Sequence, residues 1–259
     1  MKKPERAQED IEALRLLLVE LNMTTAAREF PSILSAAEDS APSYSGFLRQ
    51  LLRIEKSART ERKMQRRLRW SKLGPPVSLD NFDFSLRPQL SPQVVKELLT
   101  CRFIEERRNV VLVGRPSLGK TTIAQAIGHE ACKRGMSVYT VETAAMIEAL
   151  NESRADGTYQ KAFRRVTQPD LLILEEAGLQ SLDHRATSEL FRVVSYRHLL
   201  HSTLVATNLP FRRWGEFLPS STQAVAIADR LIDRATILRF SGKPCRQPRD
   251  IYGAPLEDE

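Results

Sequence analysis

The chain is poor in the features of secreted, metal-bound and membrane proteins. Only three cysteines (Cys101, Cys132, Cys245) occur in 259 residues, and no two form a CxxC pair. An odd, scattered set excludes a disulfide framework and a cysteine-based zinc site, and it suits a reducing cytosol. Long apolar runs are scarce as well. Stretches such as Leu16-Leu17-Leu18-Val19 and Leu171-Leu172-Ile173-Leu174 fall far short of the roughly 18 residues that a membrane span needs. No membrane partner is therefore expected. The opening MKKPERAQED is charged throughout and has no apolar signal core. The four histidines (His129, His184, His198, His201) make no HExxH, and no GxSxG occurs. No cysteine has an evident base beside it, so serine-hydrolase, zinc-peptidase and thiol chemistry lack support.

Charge, in contrast, is concentrated. The chain carries +7 overall, yet Arg49 to Lys72 holds ten basic residues and two acidic ones, a net of +8. The remainder nets −1: a near-neutral body bears one basic segment.

Two textures divide the chain. Up to about residue 72 the apolar positions recur at helical spacing, as in Ile11, Leu14, Leu17, Leu18, Leu21 and in Phe47, Leu48, Leu51, Leu52. Ser40 to Gly46 reads as a loop, and Gly74-Pro75-Pro76 breaks the pattern. This predicts a small all-helical N-terminal domain over 1–73 and a second domain over 74–259. In the second, short β-rich runs at Val110–Val113, Ser137–Val141, Leu171–Glu175, Thr203–Thr207 and Ile237–Phe240 alternate with amphipathic stretches. Helices are expected over Lys120–Arg134 with Gly135 at C′, Ala144–Asn151 with Thr143 as N-cap, Arg185–Leu200 and Gln223–Asp233. That alternation calls for an α/β fold with a mostly parallel five-stranded sheet.

Gly114-Arg115-Pro116-Ser117-Leu118-Gly119-Lys120-Thr121 fits the P-loop pattern, with an apolar strand before it and a helix after it. Its glycines let backbone N–H groups wrap phosphate oxygens at a helix N-terminus. Lys120 is a mobile cation for β- and γ-phosphates, and Thr121 with Thr122 opens the helix, Thr121 offering its hydroxyl to Mg²⁺. ATP and Mg²⁺ are the implied cofactors. Ser117 stands where a third glycine is common. The run Leu171–Leu174 followed by Glu175-Glu176 supplies acids at the C-terminal edge of a buried strand. There Glu175 would hold Mg²⁺ and Glu176 would polarise the attacking water. The more usual first acid is Asp, so Glu175 predicts slow hydrolysis by an ATPase. Asn208, after Thr203–Thr207, could reach the γ-phosphate; its alternative is a turn former before Pro210. Arg230 in a late helix could serve a neighbouring subunit, or be an ordinary surface arginine.

The order Phe82-Asp83-Phe84, Arg102-Phe103-Ile104, Gly114 to Thr121, Leu171 to Gly178, Thr207-Asn208-Leu209-Pro210-Phe211 with Trp214-Gly215-Glu216, Asp229-Arg230-Leu231 and Gly242 to Arg246 resembles the IstB family. These are AAA+ P-loop NTPases that act as transposition helpers beside bacterial transposases, related more distantly to DnaC-type helicase loaders. The resemblance covers nearly the whole chain. It implies Asn208 as sensor 1, Arg230 as an arginine finger and Arg246 as sensor 2. It further implies an ATP-dependent homo-oligomer in the bacterial cytoplasm that assembles on and deforms duplex DNA, then delivers it to a transposase. A DnaC-like replicative helicase loader and a nucleotide-gated architectural DNA binder with little hydrolysis are the competing readings.

The basic segment is rich in helix formers and contains no Gly or Pro. Arg53, Lys56, Arg59, Arg62, Lys63, Arg66, Arg67 and Arg69 are the expected phosphate contacts, neutralising backbone charge without reading bases. The bland alternative is a solvated connecting helix. Met64, Leu68 and Trp70 are expected to pack against the second domain.

Overall fold

A computed structural model describes residues 3–80 and 82–242. The chain divides into two compact units, Met1–Arg66 and Arg67–Glu259.

The first unit holds α1 (Lys3–Glu20), α2 (Thr24–Ser40) and most of α3 (Tyr44–Ser71). The expected loop at 40–46 shrinks to three residues, because α2 runs on through Ser40 and α3 already starts at Tyr44. Ala26, Phe30, Ile33 and Leu51 form its core, supported by Ile11, Leu18, Phe47 and Ile54. The Phe30 and Phe47 rings meet edge to face at 6.3 Å, a favoured aromatic geometry. Of the apolar stripe on α1, Ile11 and Leu18 join that core, whereas Leu14, Leu17 and Leu21 are exposed.

The N-terminus of α2 is capped from a distance. Met23, at its N-cap, makes no side-chain cap. Glu55 of α3 instead accepts from the N–H groups of Thr25 and Ala26, each at 3.0 Å. Free N–H groups in a first turn need such acceptors, and the helix dipole adds to the attraction for a carboxylate.

The division into units falls inside α3 rather than at Gly74-Pro75-Pro76. Beyond Arg66 the helix belongs to the second unit: Leu68 packs with Leu73 against the core that includes Ile127 and Ala131, and Trp70 lies 5.3 Å from Tyr139. A helix can continue through a boundary that composition places at its end, since packing and not propensity decides which side chains are shared.

The second unit is an α/β domain. Short helices α4 (Pro92–Leu98) and α5 (Arg102–Glu105) precede β1 (Val110–Gly114), α6 (Lys120–Lys133), β2 (Val138–Glu142) and α7 (Thr143–Ala155). Next come α8 (Tyr159–Thr167), β3 (Leu171–Ala177), α9 (His184–Arg197), β4 (Ser202–Thr207), α10 (Ser221–Ile232) and β5 (Thr236–Phe240). The five strands pair in parallel in the order β2-β3-β4-β1-β5. Alternating strand residues feed two cores. Leu112, Leu171, Ile173 and Leu204 face one with α6; Leu172, Leu174 and Val205 face the other with α7, α9 and α10. Both faces being covered explains the unbroken apolar runs in β1, β3 and β4. The chain leaves β1 for the far-edge strand β2, so the order reverses beside β1, the place where such sheets bind ligands.

Two local expectations change. Thr143 is the first residue of α7 and Glu142 its cap position, because the Thr143 hydroxyl donates to the Glu175 carbonyl at 3.0 Å. Helix α8 is not among the helices expected from the sequence, although Tyr159, Ala162, Phe163 and Val166 recur at helical spacing.

Candidate nucleotide site

The loop between β1 and α6 is held open to phosphate by two glycines that tolerate no replacement. A Cβ on Gly114 would stand 2.4 Å from the Phe240 carbonyl oxygen on the adjacent strand β5. Gly119 has φ +90°, and a Cβ there would lie 2.6 Å from the Phe82 ring. Ser117 takes φ 60°, the left-handed conformation that glycine adopts freely and other residues at a cost near 1 kcal/mol. The substituted third glycine is thus a strained serine in an otherwise ordinary loop. Arg115 and Pro116 are exposed, Leu118 is buried and Thr122 half-buried.

Beneath the loop lies Arg87, almost wholly buried. Its Nε donates to the Leu118 carbonyl at 3.0 Å and its Nη1 to the Leu86 carbonyl at 2.7 Å. It fixes the loop from below. No sequence signal marks it, because it reaches the P-loop from 31 residues away.

Lys120 is buried and turned into its own loop. Its ammonium donates to the carbonyls of Gly114 at 2.6 Å and Arg115 at 2.7 Å, and to Oδ1 of Asn208 at 2.7 Å. Three donors thus meet three acceptors. Burial lowers its pKa from the usual lysine range to about 8. Asn208 reaches this point because Thr207 ties the ends of two strands together: its hydroxyl donates to the Ala177 carbonyl at 2.6 Å and accepts from the Leu209 N–H at 3.1 Å. The buried Trp214 indole then donates to the Leu209 carbonyl at 3.3 Å. Phe211 and Phe217 pack on it at 4.6 and 5.2 Å. The Asn-Leu-Pro-Phe…Trp stretch is therefore the brace that holds Asn208 over the P-loop.

The acids sit in an irregularity of β3. The β3–β4 register shifts between Leu174 and Ala177, and Glu176 has φ 56°. Bulges and strained backbone of this kind re-aim side chains at functional sites. Thr121 lies near enough to Glu175 to favour its charged form, so the structure brings the two residues expected to bind metal into one neighbourhood. Burial raises the Glu175 pKa above the ordinary carboxylate range, with the charges of Glu176 and Glu142 adding to it. One Glu175 oxygen, Oε1, is buried with no hydrogen-bond partner. A buried acceptor crowded by carboxylates and next to a hydroxyl fits a divalent cation, whose charge reverses that penalty. Glu176 is exposed at the same edge.

Arg230 is elsewhere. Its Nη1 donates to the Ala226 carbonyl at 2.9 Å, and its guanidinium lies 5.0 Å from the Phe191 ring centre. Its carbonyl accepts from Asn109, the residue before β1, at 3.1 Å. That is the N-terminal edge of the sheet, opposite the P-loop. Arg230 does not join the Lys120 cluster of its own chain. Arg246 lies outside the described residues.

Among the bases of α3, two are already engaged. Glu55, buried at 3% exposure, accepts from Arg59 Nε at 2.8 Å and Arg62 Nη2 at 2.9 Å. Arg59 also donates to the Asn22 carbonyl and Arg62 to the Thr24 hydroxyl. Burial alone would raise the Glu55 pKa, but Arg59 and the N–H groups of Ala26 and Thr25 hold it below the carboxylate range. Arg53, Lys56, Lys63, Arg66 and Arg69 are exposed, and Arg67 is half-buried. As the sequence suggests, Leu68 and Trp70 make packing contacts within the second unit.

Comparison with known proteins matches residues 16–250 to the family model described as IstB-like ATP binding protein. The ATP-binding protein of insertion sequence IS5376 from Geobacillus stearothermophilus is 31% identical over 226 residues, covering 87% of this chain and 90% of that protein. Among solved structures, the DnaC helicase loader is 21% identical with a TM-score of 0.51, covering 57% of this chain and 87% of that one. DnaA from Aquifex aeolicus with AMPPCP bound is 24% identical with a TM-score of 0.56, covering 66% of this chain and 51% of that one. These two structures share the AAA+ fold. No helix among the described residues is long and apolar enough to cross a membrane.

Proposed function

The chain belongs to the IstB-like ATP-binding protein family, and from that premise we propose that it is an ATP-dependent DNA-binding helper of transposition. ATP with Mg²⁺ binds at the P-loop, subunits assemble on duplex DNA and deform it, and the complex presents that DNA to a transposase. The observation that carries this reading is the convergence of Lys120, Asn208, Thr121 and Glu175 on one edge of the sheet.

The chemistry follows from those groups. Backbone N–H groups of Gly114 to Thr121 surround the phosphates at the start of α6. Lys120 exchanges its loop carbonyls for phosphate oxygens and releases Asn208 to the γ-phosphate. Mg²⁺, held by Thr121 and Glu175, would neutralise developing phosphate charge. Glu176 orients and polarises the attacking water. Arg230, remote from its own Lys120, serves the nucleotide of a neighbouring subunit. ATP favours the assembled form only by binding it more tightly than the dispersed form. The exposed bases of α3 neutralise phosphates independently of sequence.

The test is particle imaging and DNA-binding measurement with and without a non-hydrolysable ATP analogue, for the wild type and Lys120→Ala. Analogue-dependent assembly on duplex DNA in the wild type alone is expected. Equal assembly by both proteins would remove nucleotide from the mechanism.

A further inference from the structure

Several cations on the second unit are neutralised locally: Lys133 and Arg134 pair with Glu130, and Arg154 and Arg192 with Glu189. Another group is not. Lys72, Lys161, Arg164 and Arg165 are exposed, and none of them has an ion pair among the described residues. Helix α8 is amphipathic: Tyr159, Ala162, Phe163 and Val166 pack into the core. Lys161, Arg164 and Arg165, spaced i, i+3 and i+4, share the opposite face.

Two of these cations converge on one ring. The Arg165 guanidinium lies 5.0 Å and the Lys72 ammonium 5.8 Å from the centre of the buried Tyr139 ring. Tyr139 belongs to β2, the edge strand of the sheet. The Trp70 ring, 42% exposed, covers the same residue at 5.3 Å. Attraction to the ring favours keeping both cations beside it despite their mutual repulsion. A bound anion can relieve it. The charges form an open row beside an exposed aromatic ring, not an enclosure for a small anion, and a row of cations matches a repeating phosphate backbone.

We propose that α8 and the end of α3 form a phosphate-binding surface on the ATPase unit that grips the backbone of duplex DNA. This rests on the reading of the protein as a DNA binder and adds Lys161, Arg164 and Arg165 to the contacts. Trp70 reports the contact, because the only other tryptophan, Trp214, is 1% exposed.

Duplex affinity is measured against salt concentration for the wild type, for Lys161→Ala with Arg164→Ala, and for the same pair plus Arg165→Ala. Each lost phosphate contact lowers the slope by about 0.9, so falls of about 2 and about 3 are expected. The Trp70 emission change on adding duplex should shrink in step. Binding of an ATP analogue stays unchanged in the double variant, whose two side chains are exposed and distant in sequence from the P-loop. A wild-type slope retained by both variants would overturn the α8 surface while leaving DNA binding intact. Absence of duplex binding by the wild type would overturn the DNA reading itself.

Discussion

The P-loop and α3 both carry cations suited to phosphate, but they hold them in opposite ways. Lys120 is buried, loses part of its basicity, and is bonded to its own backbone and to Asn208. Lys56, Lys63 and Arg66 stand in solvent. A buried, internally satisfied cation must break bonds to receive its ligand, so its occupancy is coupled to the conformation around it. An exposed cation gives up only water and counterions. The first arrangement suits a switch and the second a grip. Arg59 and Arg62 belong to neither, since Glu55 has made them part of the fold.

The comparison breaks most readily at Lys120. Lys120→Ala should weaken ATP affinity by at least about a hundredfold, roughly 3 kcal/mol or more, in a direct nucleotide titration; a loss under threefold would mean that the lysine is not the phosphate cation. Glu55→Ala comes next. It leaves two N–H groups of α2 and two guanidinium groups without their acceptor, and should lower stability by about 2 to 3 kcal/mol in denaturant unfolding. The wild type should lose the same contribution with acid: the folded Glu55 pKa is depressed, so its stabilisation is present above the ordinary glutamate pKa and disappears as pH falls through the folded value.

A third test separates grip from scaffold. Lys56→Ala, Lys63→Ala and Arg66→Ala together should reduce the salt slope of duplex binding by about 2.7 with little change in unfolding midpoint. Arg59→Ala with Arg62→Ala should do the reverse. Equal slopes for the two sets would erase the distinction between them. The smallest effect is one of pH. With a folded pKa of about 8, Lys120 loses its proton before an ordinary lysine does. ATP affinity should fall as pH rises from 8, approaching tenfold per unit, and the nucleotide-free protein should gain stability over the same range, because its unfolded state binds the additional proton. Flat affinity between pH 8 and 9.5 would mean that Lys120 stays fully charged.

Most of the candidate nucleotide site was legible because local rules govern it. Strand burial shows in runs such as Leu171–Leu174, glycine spacing marks Gly114 and Gly119, and the acids follow directly on their strand. Legibility failed where a side chain acts far along the chain. Glu55 caps a helix some 30 residues earlier, and a glutamate inside a basic helix reads as an ordinary helix former. Arg87 supports Leu118 from a loop without periodicity. The end of the first unit was misplaced for a related reason: Gly74-Pro75-Pro76 reports where helical backbone stops, and carries no information about which core Leu68 and Trp70 join. Glu175 in place of aspartate was visible at once, but the register shift at the end of its strand was not.

Asn109 ties α10 to the N-terminal edge of the sheet. Besides holding the end of α10 through the Arg230 carbonyl, it accepts from the Thr203 N–H at 2.9 Å through its Oδ1. One side chain thereby pins the helix that carries Arg230 to the first residues of both β1 and β4. The opposite ends of those strands bear Gly114 and Asn208. The two strands work as a pair of stiff rods with a shared footing. A displacement of α10 would enter at the foot of both strands and reach Gly114 and Asn208, two of the three residues that hold Lys120, without a moving loop between.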